Sequence, residues 1–266
     1  MQSPNFKRLG IVGYGKIGSF VYDAVLQNPS VGIKIDFVCD IDKERLQGLP
    51  KEIVTSDLRI IQERKPDLVL EAAHPNVVRE HACFILRHSD LMIMSVTALA
   101  DPVMLETIRQ TCERFGKALY IPHGAIVGLD ALIEGREVWD EVTITMKKNP
   151  NNIDFSQANV DPDRIKSETI LYDGPTATIC PLFPKNVNSH ATVSLASLGF
   201  DRTHSLLIAD PKLDVSVIEI EAKGSGVEIF IRRVNPITGV TGKLTLLSVW
   251  ESVKKILGKK EWINFV

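Results

Sequence analysis

The chain has 266 residues, 44% hydrophobic and 24% charged, which excludes an intrinsically disordered protein and leaves room for one large domain or two of ordinary size. Its 31 Lys and Arg against 33 Asp and Glu leave a net charge of −2, without the basic excess that nucleic-acid binding requires. No apolar run reaches the ~20 residues that cross a bilayer, so neither a nucleic acid nor a membrane is expected as a partner. The N-terminal residues lead into a short apolar strand rather than a signal-peptide core, and the expected location is cytoplasmic. Cys39, Cys83, Cys112 and Cys180 lie far apart without metal-ligand spacing, so no metal is expected. Cys39 and Cys83 sit in apolar runs and read as buried free thiols.

In chain order, Leu9 to Val12 predicts a short buried strand that turns at Gly13 into a helix ending near Leu26. Ile33 to Cys39 predicts a second strand, closed by Asp40. Leu68 to Ala73, Leu91 to Ser95 and Ala118 to Ile121 predict further strands, separated by helices over Val77 to Leu86 and Pro102 to Phe115. Apolar strands alternating with amphipathic helices predict a parallel, doubly wound sheet covered on both faces. The pattern changes after Gly124. Val142 to Met146, Val215 to Ala222 and Val227 to Arg232 alternate like half-exposed strands, Ser189 to Leu198 predicts a helix, and Asn149-Pro150-Asn151-Asn152 is turn chemistry. A final helix, Lys243 to Leu257, needs a core to dock on.

Gly13-Tyr14-Gly15-Lys16-Ile17-Gly18 matches G-x-G-x-x-G between a strand and a helix, and Asp40 ends the next strand about 22 residues after Gly18, close to the expected spacing. Gly13 permits the tight turn, Gly15 lets the backbone approach a pyrophosphate, and Gly18 permits close helix–strand packing. Asp40 would accept hydrogen bonds from the adenosine ribose and repel a 2′-phosphate. That favours NAD, while Lys43 and Arg45 leave NADP possible. In such sheets the ligand lies outside the carboxyl ends of the strands, here Ala73-His74, Ser95-Val96-Thr97 and His123-Gly124-Ala125. The fold class is therefore α/β. It has an N-terminal Rossmann doubly wound sheet, residues 1–124 and 237–266, and an α+β domain over residues 125–236.

Four segments together resemble the L-aspartate dehydrogenase family. They are Ile11 to Gly18, Gly124-Ala125-Ile126-Val127-Gly128-Leu129-Asp130-Ala131-Leu132, Phe183-Pro184-Lys185-Asn186-Val187-Asn188 with Ser194-Leu195-Ala196, and Ile208-Ala209-Asp210-Pro211 with Asn235-Pro236. The resemblance covers nearly the whole chain. It implies that the central domain binds substrate and dimerises, giving a homodimer, with nicotinamide contacts at Ala125 and Asn188. The implied reaction is hydride transfer between an amino acid's α-carbon and NAD(P).

One departure matters. The family pattern N-V-H-E-I-x-V-x-G aligns without gaps on Ser216-Val217-Ile218-Glu219-Ile220-Glu221-Ala222-Lys223-Gly224, so Ile218 stands at the catalytic histidine's position. Isoleucine exchanges no proton. His123, beside Gly124-Ala125, and His190, two residues after Asn188, are the candidate replacements, each an imidazole that would titrate near neutrality. Lys148, matching a family basic residue, could bind a carboxylate or simply face solvent. His81, His88 and His204 read as helix-surface or loop residues. The expected partner is a small amino, imino or carbonyl acid, aspartate or a changed substrate. The alternative is a catalytically silent NAD-binding sensor.

Overall fold

The computed structural model describes residues 6–236, 242–259 and 262–263. It divides the chain into two units, Met1–Ser95 with Val103–Pro122 and Leu246–Val266, and Val96–Pro102 with His123–Thr245. The seam differs from the expected one at 124/125 and 236/237: residues 96–102, 123–124 and 242–245 go with the second unit.

The first unit contains β1 (Lys7–Val12), α1 (Lys16–Gln27), β2 (Ile33–Cys39), β3 (Val54–Thr55), α2 (Ile60–Arg64), β4 (Leu68–Glu71), α3 (Pro75–Leu86), β5 (Asp90–Ile93), α4 (Pro102–Phe115) and β6 (Leu119–Tyr120). Its strands form one parallel sheet in the order β3-β2-β1-β4-β5-β6. The apolar runs that predicted the strands are buried on both faces; Leu9, Ile11, Leu68, Leu70, Leu91 and Met92 have no solvent exposure. Because β1 is flanked by β2 on one side and β4 on the other, the chain reverses its order there, and that reversal opens a crevice at the strands' carboxyl ends.

The second unit contains α5 (Leu129–Glu134), β7 (Glu141–Lys148), β8 (Thr169–Pro175), α6 (Thr176–Leu182), α7 (Asn188–Ala196), β9 (His204–Ala209), β10 (Val215–Gly224) and β11 (Val227–Pro236). Its sheet has the order β11-β10-β7-β9-β8 and is antiparallel except at β7–β9. The expected β7, α7, β10 and β11 are present. The sequence reading missed α5, β8, α6 and β9 for local reasons. β8 ends in Gly174-Pro175, α6 carries Pro181 within it, and β9 is nearly unbroken apolar sequence rather than an alternating one. Ser225 and Gly226, both at positive φ (46° and 78°), make the two-residue turn between β10 and β11, matching the right-handed twist of the strands.

Register sets the faces. Ile218 pairs with Met146 on one side and Arg233 on the other, and Met146 pairs with Leu207. With a side-chain period of two, Lys148, Met146, Ile144, Ser216, Ile218, Arg233, Asn235, Ser205 and Leu207 all project from one face. Helix α8 (Lys243–Leu257) then places Val249, Trp250, Val253 and Leu257, a single helical stripe, among Leu9, Val21, Val25 and Leu68 of the first unit's core. Cys39 and Cys180 are buried; Cys83, expected inside, is half-buried on α3.

Candidate active site

The glycine loop leaves β1 and enters α1 with no side chain in the way. Gly13 has φ +95°, and a Cβ there would lie 2.6 Å from the Ala72 carbonyl oxygen; a Cβ on Gly18 would strike the Gly13 carbonyl. The backbone at Gly15 is open, the nearest neighbour of such a Cβ being Arg45 Nη1 at 3.7 Å. A cleft of about 840 Å³ runs beside this loop, lined by Gly13, Gly15, Asp40, Ala73 and His74 together with Ile41, Arg45, Leu58, His81 and Phe84. Lys16 and Ile17 form the first turn of α1, Lys16 exposed and Ile17 packed toward the core. No side chain caps the N-terminus of α1 at Gly15, which leaves the helix end open to a pyrophosphate. The cradle fits a dinucleotide.

Asp40 is already engaged: Oδ2 accepts from the Tyr14 N–H at 2.6 Å and Oδ1 from the Asp42 N–H at 2.9 Å. These bonds hold its carboxylate at the cleft while tying β2 to the glycine loop. Ile41, 92% exposed on the lining, offers apolar surface for a purine. His74 caps α3, its Nδ1 accepting from the Asn76 N–H at 3.2 Å. His81, read from sequence as a helix-surface residue, reaches the cleft wall.

Glu71, unforeseen in the sequence, shapes the adjoining loops. Its buried carboxylate accepts from Ala73 N–H (2.8 Å), Met94 N–H (3.2 Å), Ser95 N–H (3.1 Å) and Ser95 Oγ (2.9 Å). Burial pushes its pKa up and these donors oppose that. The same bonds stop β5 at Ile93 rather than at Ser95, and the chain continues as a 3₁₀ turn over Val96–Ala100. In the second unit, Thr97 N–H donates to Asn188 Oδ1 (3.1 Å) and Thr97 Oγ1 donates to the Pro184 carbonyl (2.8 Å). Two residues expected to line the cofactor site, Thr97 and Asn188, are thereby locked together. Gly124 (φ 58°) and Ala125 form a tight turn closed by Ile126 N–H to the His123 carbonyl, and His123 Nε2 lies 3.4 Å from Asp130 Oδ1.

The densest chemistry lies on the buried face of the second sheet. Lys148 is 5% exposed and Arg233 9%, and among the described residues no carboxylate pairs with either. Burial first, and then the Arg233 charge, push the Lys148 ammonium down to about 8; burial also lowers Arg233. His190, fully buried in the first turn of α7, is pushed down to about 3 by burial and by Lys148, and is neutral at pH 7. Its tautomer follows from a chain of hydroxyls. Thr176 Oγ1 donates to the Thr203 carbonyl, so it accepts from Ser205 Oγ, which must then accept from His190 Nδ1–H. Among the described residues His190 Nε2 is left as a buried lone pair without a partner, as are the Arg233 Nε–H donor and the Asn235 Oδ1 acceptor. A buried site with two cations, a neutral acceptor and unmet hydrogen-bonding atoms is built for an anionic ligand that also carries a donor.

Comparison with known proteins gives the same direction. The family model described as aspartate dehydrogenase, C-terminal, matches residues 130–256, and that of the homoserine dehydrogenase NAD binding domain matches residues 13–122. The aspartate dehydrogenase domain-containing protein of Xenopus tropicalis is 33% identical over 266 residues, covering 92% of this chain and 93% of that protein. The chain belongs to the aspartate dehydrogenase family. The L-aspartate dehydrogenase of Nitrosopumilus maritimus is 30% identical over 94% of this chain and 96% of its own length. The crystal structure of aspartate dehydrogenase from Thermotoga maritima shares the fold, with a TM-score of 0.76 at 21% identity over 98% of this chain and 99% of that one. As a member of the aspartate dehydrogenase family the chain is an NAD(P)-dependent oxidoreductase.

Two expectations need correction. His190 does not titrate near neutrality, because α7 buries it completely against the sheet and beside a lysine. Lys148 is not a solvated surface residue, because its strand position faces the same buried layer. Asn235 figures in the sequence reading only as part of a family segment and Arg233 not at all, although adjacent Arg232 and Arg233 on an alternating strand must point to opposite faces, which forces one inward. Among the described residues no cluster suited to a metal ion occurs, and no helix is long and apolar enough to cross a membrane.

Proposed function

We propose that this member of the aspartate dehydrogenase family interconverts a small amino acid and its imino acid by hydride exchange with NAD(P). The nicotinamide, when bound, supplies the two-electron hydride acceptor or donor. The chain's own residues supply the rest. Glu71 fixes the Ala73 and Ser95 backbone beside the dinucleotide cleft, and Asp40 holds the loop that cradles the pyrophosphate. Arg233 holds a carboxylate and Lys148 faces the same substrate beside it, since among the described residues no anionic group pairs with either. His190 Nε2, a fixed acceptor, orients an amino group through one N–H.

The observation that carries this reading is the buried Lys148–Arg233 pair, which no carboxylate compensates among the described residues. A buried basic pair favours an acid as substrate, and aspartate is the first to test, as the names of the relatives suggest. Ile218 favours the silent-sensor alternative, but a sensor has no need of converging donors and acceptors on a buried face. The working form is read as a cytoplasmic homodimer, which light scattering on the purified chain checks. The test of function is cofactor reduction by the purified protein with NAD or NADP and a panel of amino acids. Aspartate-dependent reduction is the expected outcome, and cofactor binding with no reduction by any amino acid would overturn it.

A further inference from the structure

Oxidising an amino acid releases a proton from its ammonium group, and some side chain must take it. Among the described residues, the groups on this face near the anion site are few: β10 contributes Ser216 and Ile218, β9 Ser205, Leu207 and Ala209, β11 Arg233 and Asn235, α7 His190, and β7 Met146 and Lys148. Ile218 and Met146 are apolar, and Arg233 keeps its proton at any working pH. His190 has its Nδ1 proton committed to Ser205 and offers only a weakly basic lone pair held beside a cation. The Ser205 and Ser216 hydroxyls are far weaker bases than an amine, so among the described residues elimination leaves one group.

We propose that Lys148 is the proton carrier of this site, accepting the proton of the substrate's ammonium group while Arg233 holds a substrate carboxylate, an assignment that rests on the function proposed above. Register supports it. Ile218 pairs with Met146, so Lys148 lies one rung further along β7 on the same face, opposite Ser216, and its four-carbon stem can carry Nζ across the space above Ile218. Where the family resemblance expects a proton-exchanging side chain on β10, the neighbouring strand provides one.

The step balances. Neutral Lys148 Nζ takes H⁺ from the substrate ammonium, giving a lysine ammonium and a neutral amine. The amine lone pair forms C=N as the Cα–H bond breaks, and the hydride leaves with its electron pair to the oxidised nicotinamide. The substrate loses two electrons, the nicotinamide gains two, and the iminium product and Lys148 ammonium carry the remaining positive charge. Lys148 then returns its proton to water. Burial and the fixed charge of Arg233 keep Nζ ready to lose a proton near neutral pH, which an exposed lysine is not.

The test uses the full-length protein and two readouts. Competitive amine labelling across a pH series, read by mass spectrometry at Lys148, reports the ionisation of this group without turnover; a midpoint near 8 is expected and one near the ordinary 10.5 would overturn the proposal. The second readout is kinetic. Lys148→Arg keeps the charge but not the exchangeable proton, so kcat should fall at least 100-fold with KM changed no more than a few-fold. Lys148→Met should lose turnover to the same degree, with its fold checked by circular dichroism and by retained NAD(H) binding. A Lys148→Arg enzyme within 10-fold of wild-type kcat, with the alkaline dependence unchanged, overturns the proposal while leaving the function standing. A wild-type chain that oxidises no amino acid overturns both.

Discussion

Replacing Lys148 with methionine should stabilise the protein even as it removes activity. The lysine is buried with its ionisation pushed from 10.5 down to about 8, whereas in the unfolded chain it keeps its ordinary value. At pH 7 both states hold the proton, so the folded state bears the whole penalty of a buried ammonium: at about 1.4 kcal/mol for each pKa unit, about 3 kcal/mol. Stability therefore rises as pH climbs from 8 toward 10.5, where the unfolded chain still binds a proton that the folded chain has released. Methionine fills a similar volume without a charge. Urea denaturation of wild type and Lys148→Met at pH 7 and at pH 10 should show the variant ahead by about 3 kcal/mol at the lower pH and the gap mostly closed at the higher one. Adding succinate, a dicarboxylate, should stabilise wild type more than the variant. A variant less stable than wild type at pH 7, or a gap that does not change with pH, would refute the idea that this lysine is charged, buried and unpaired.

Further outcomes are expected elsewhere. His190 has a folded pKa of about 3 against an ordinary 6.5, so its contribution is complete above pH 6.5 and is lost as pH falls toward 3, by up to about 5 kcal/mol; acid denaturation of His190→Gln should show a shallower loss across that window than wild type. Glu71→Gln must turn an NH₂ group toward at least one fixed backbone N–H, which should cost about 2 kcal/mol and weaken NAD(H) binding, read by thermal melting and fluorescence titration. Gly18→Ala should weaken dinucleotide binding at least 100-fold, because its methyl collides with the Gly13 carbonyl and must displace α1 from the loop. Arg233→Met should raise the KM for the amino acid by about 30-fold or more with a smaller change in kcat, consistent with loss of a charged carboxylate contact of 2 kcal/mol or more.

The parts of the molecule written in local pattern were legible beforehand. The glycine loop, Asp40 and the apolar strands of the first sheet are each announced by a short motif or run, even though their contacts, Gly13 with Ala72 and Asp40 with Tyr14, span longer stretches. The long-range pieces were not. Glu71 sits in a strand that reads as simple hydrophobic sequence, and its role depends on Met94 and Ser95 returning beside it. Lys148, Ser205, Arg233 and His190 are widely separated along the chain and meet only through strand register and the docking of α7, which no periodicity reveals. Even the histidines illustrate this. Their type suggested chemistry, but burial decides their charge, and burial is a property of the assembled sheet.

The return of α8 bears on how the chain is made. Val249, Trp250, Val253 and Leu257 complete a core whose other buried members run from Leu9 to Met92, with Met94 and Tyr120 packed against it. During vectorial synthesis the first unit therefore exposes that apolar groove while all of the second unit emerges, and its closure waits for the last of these residues. A ribosome that stalls between the two leaves a half-finished sheet bearing a sticky seam, a natural substrate for holdase chaperones. A peptide copying α8 should rescue chains truncated before it.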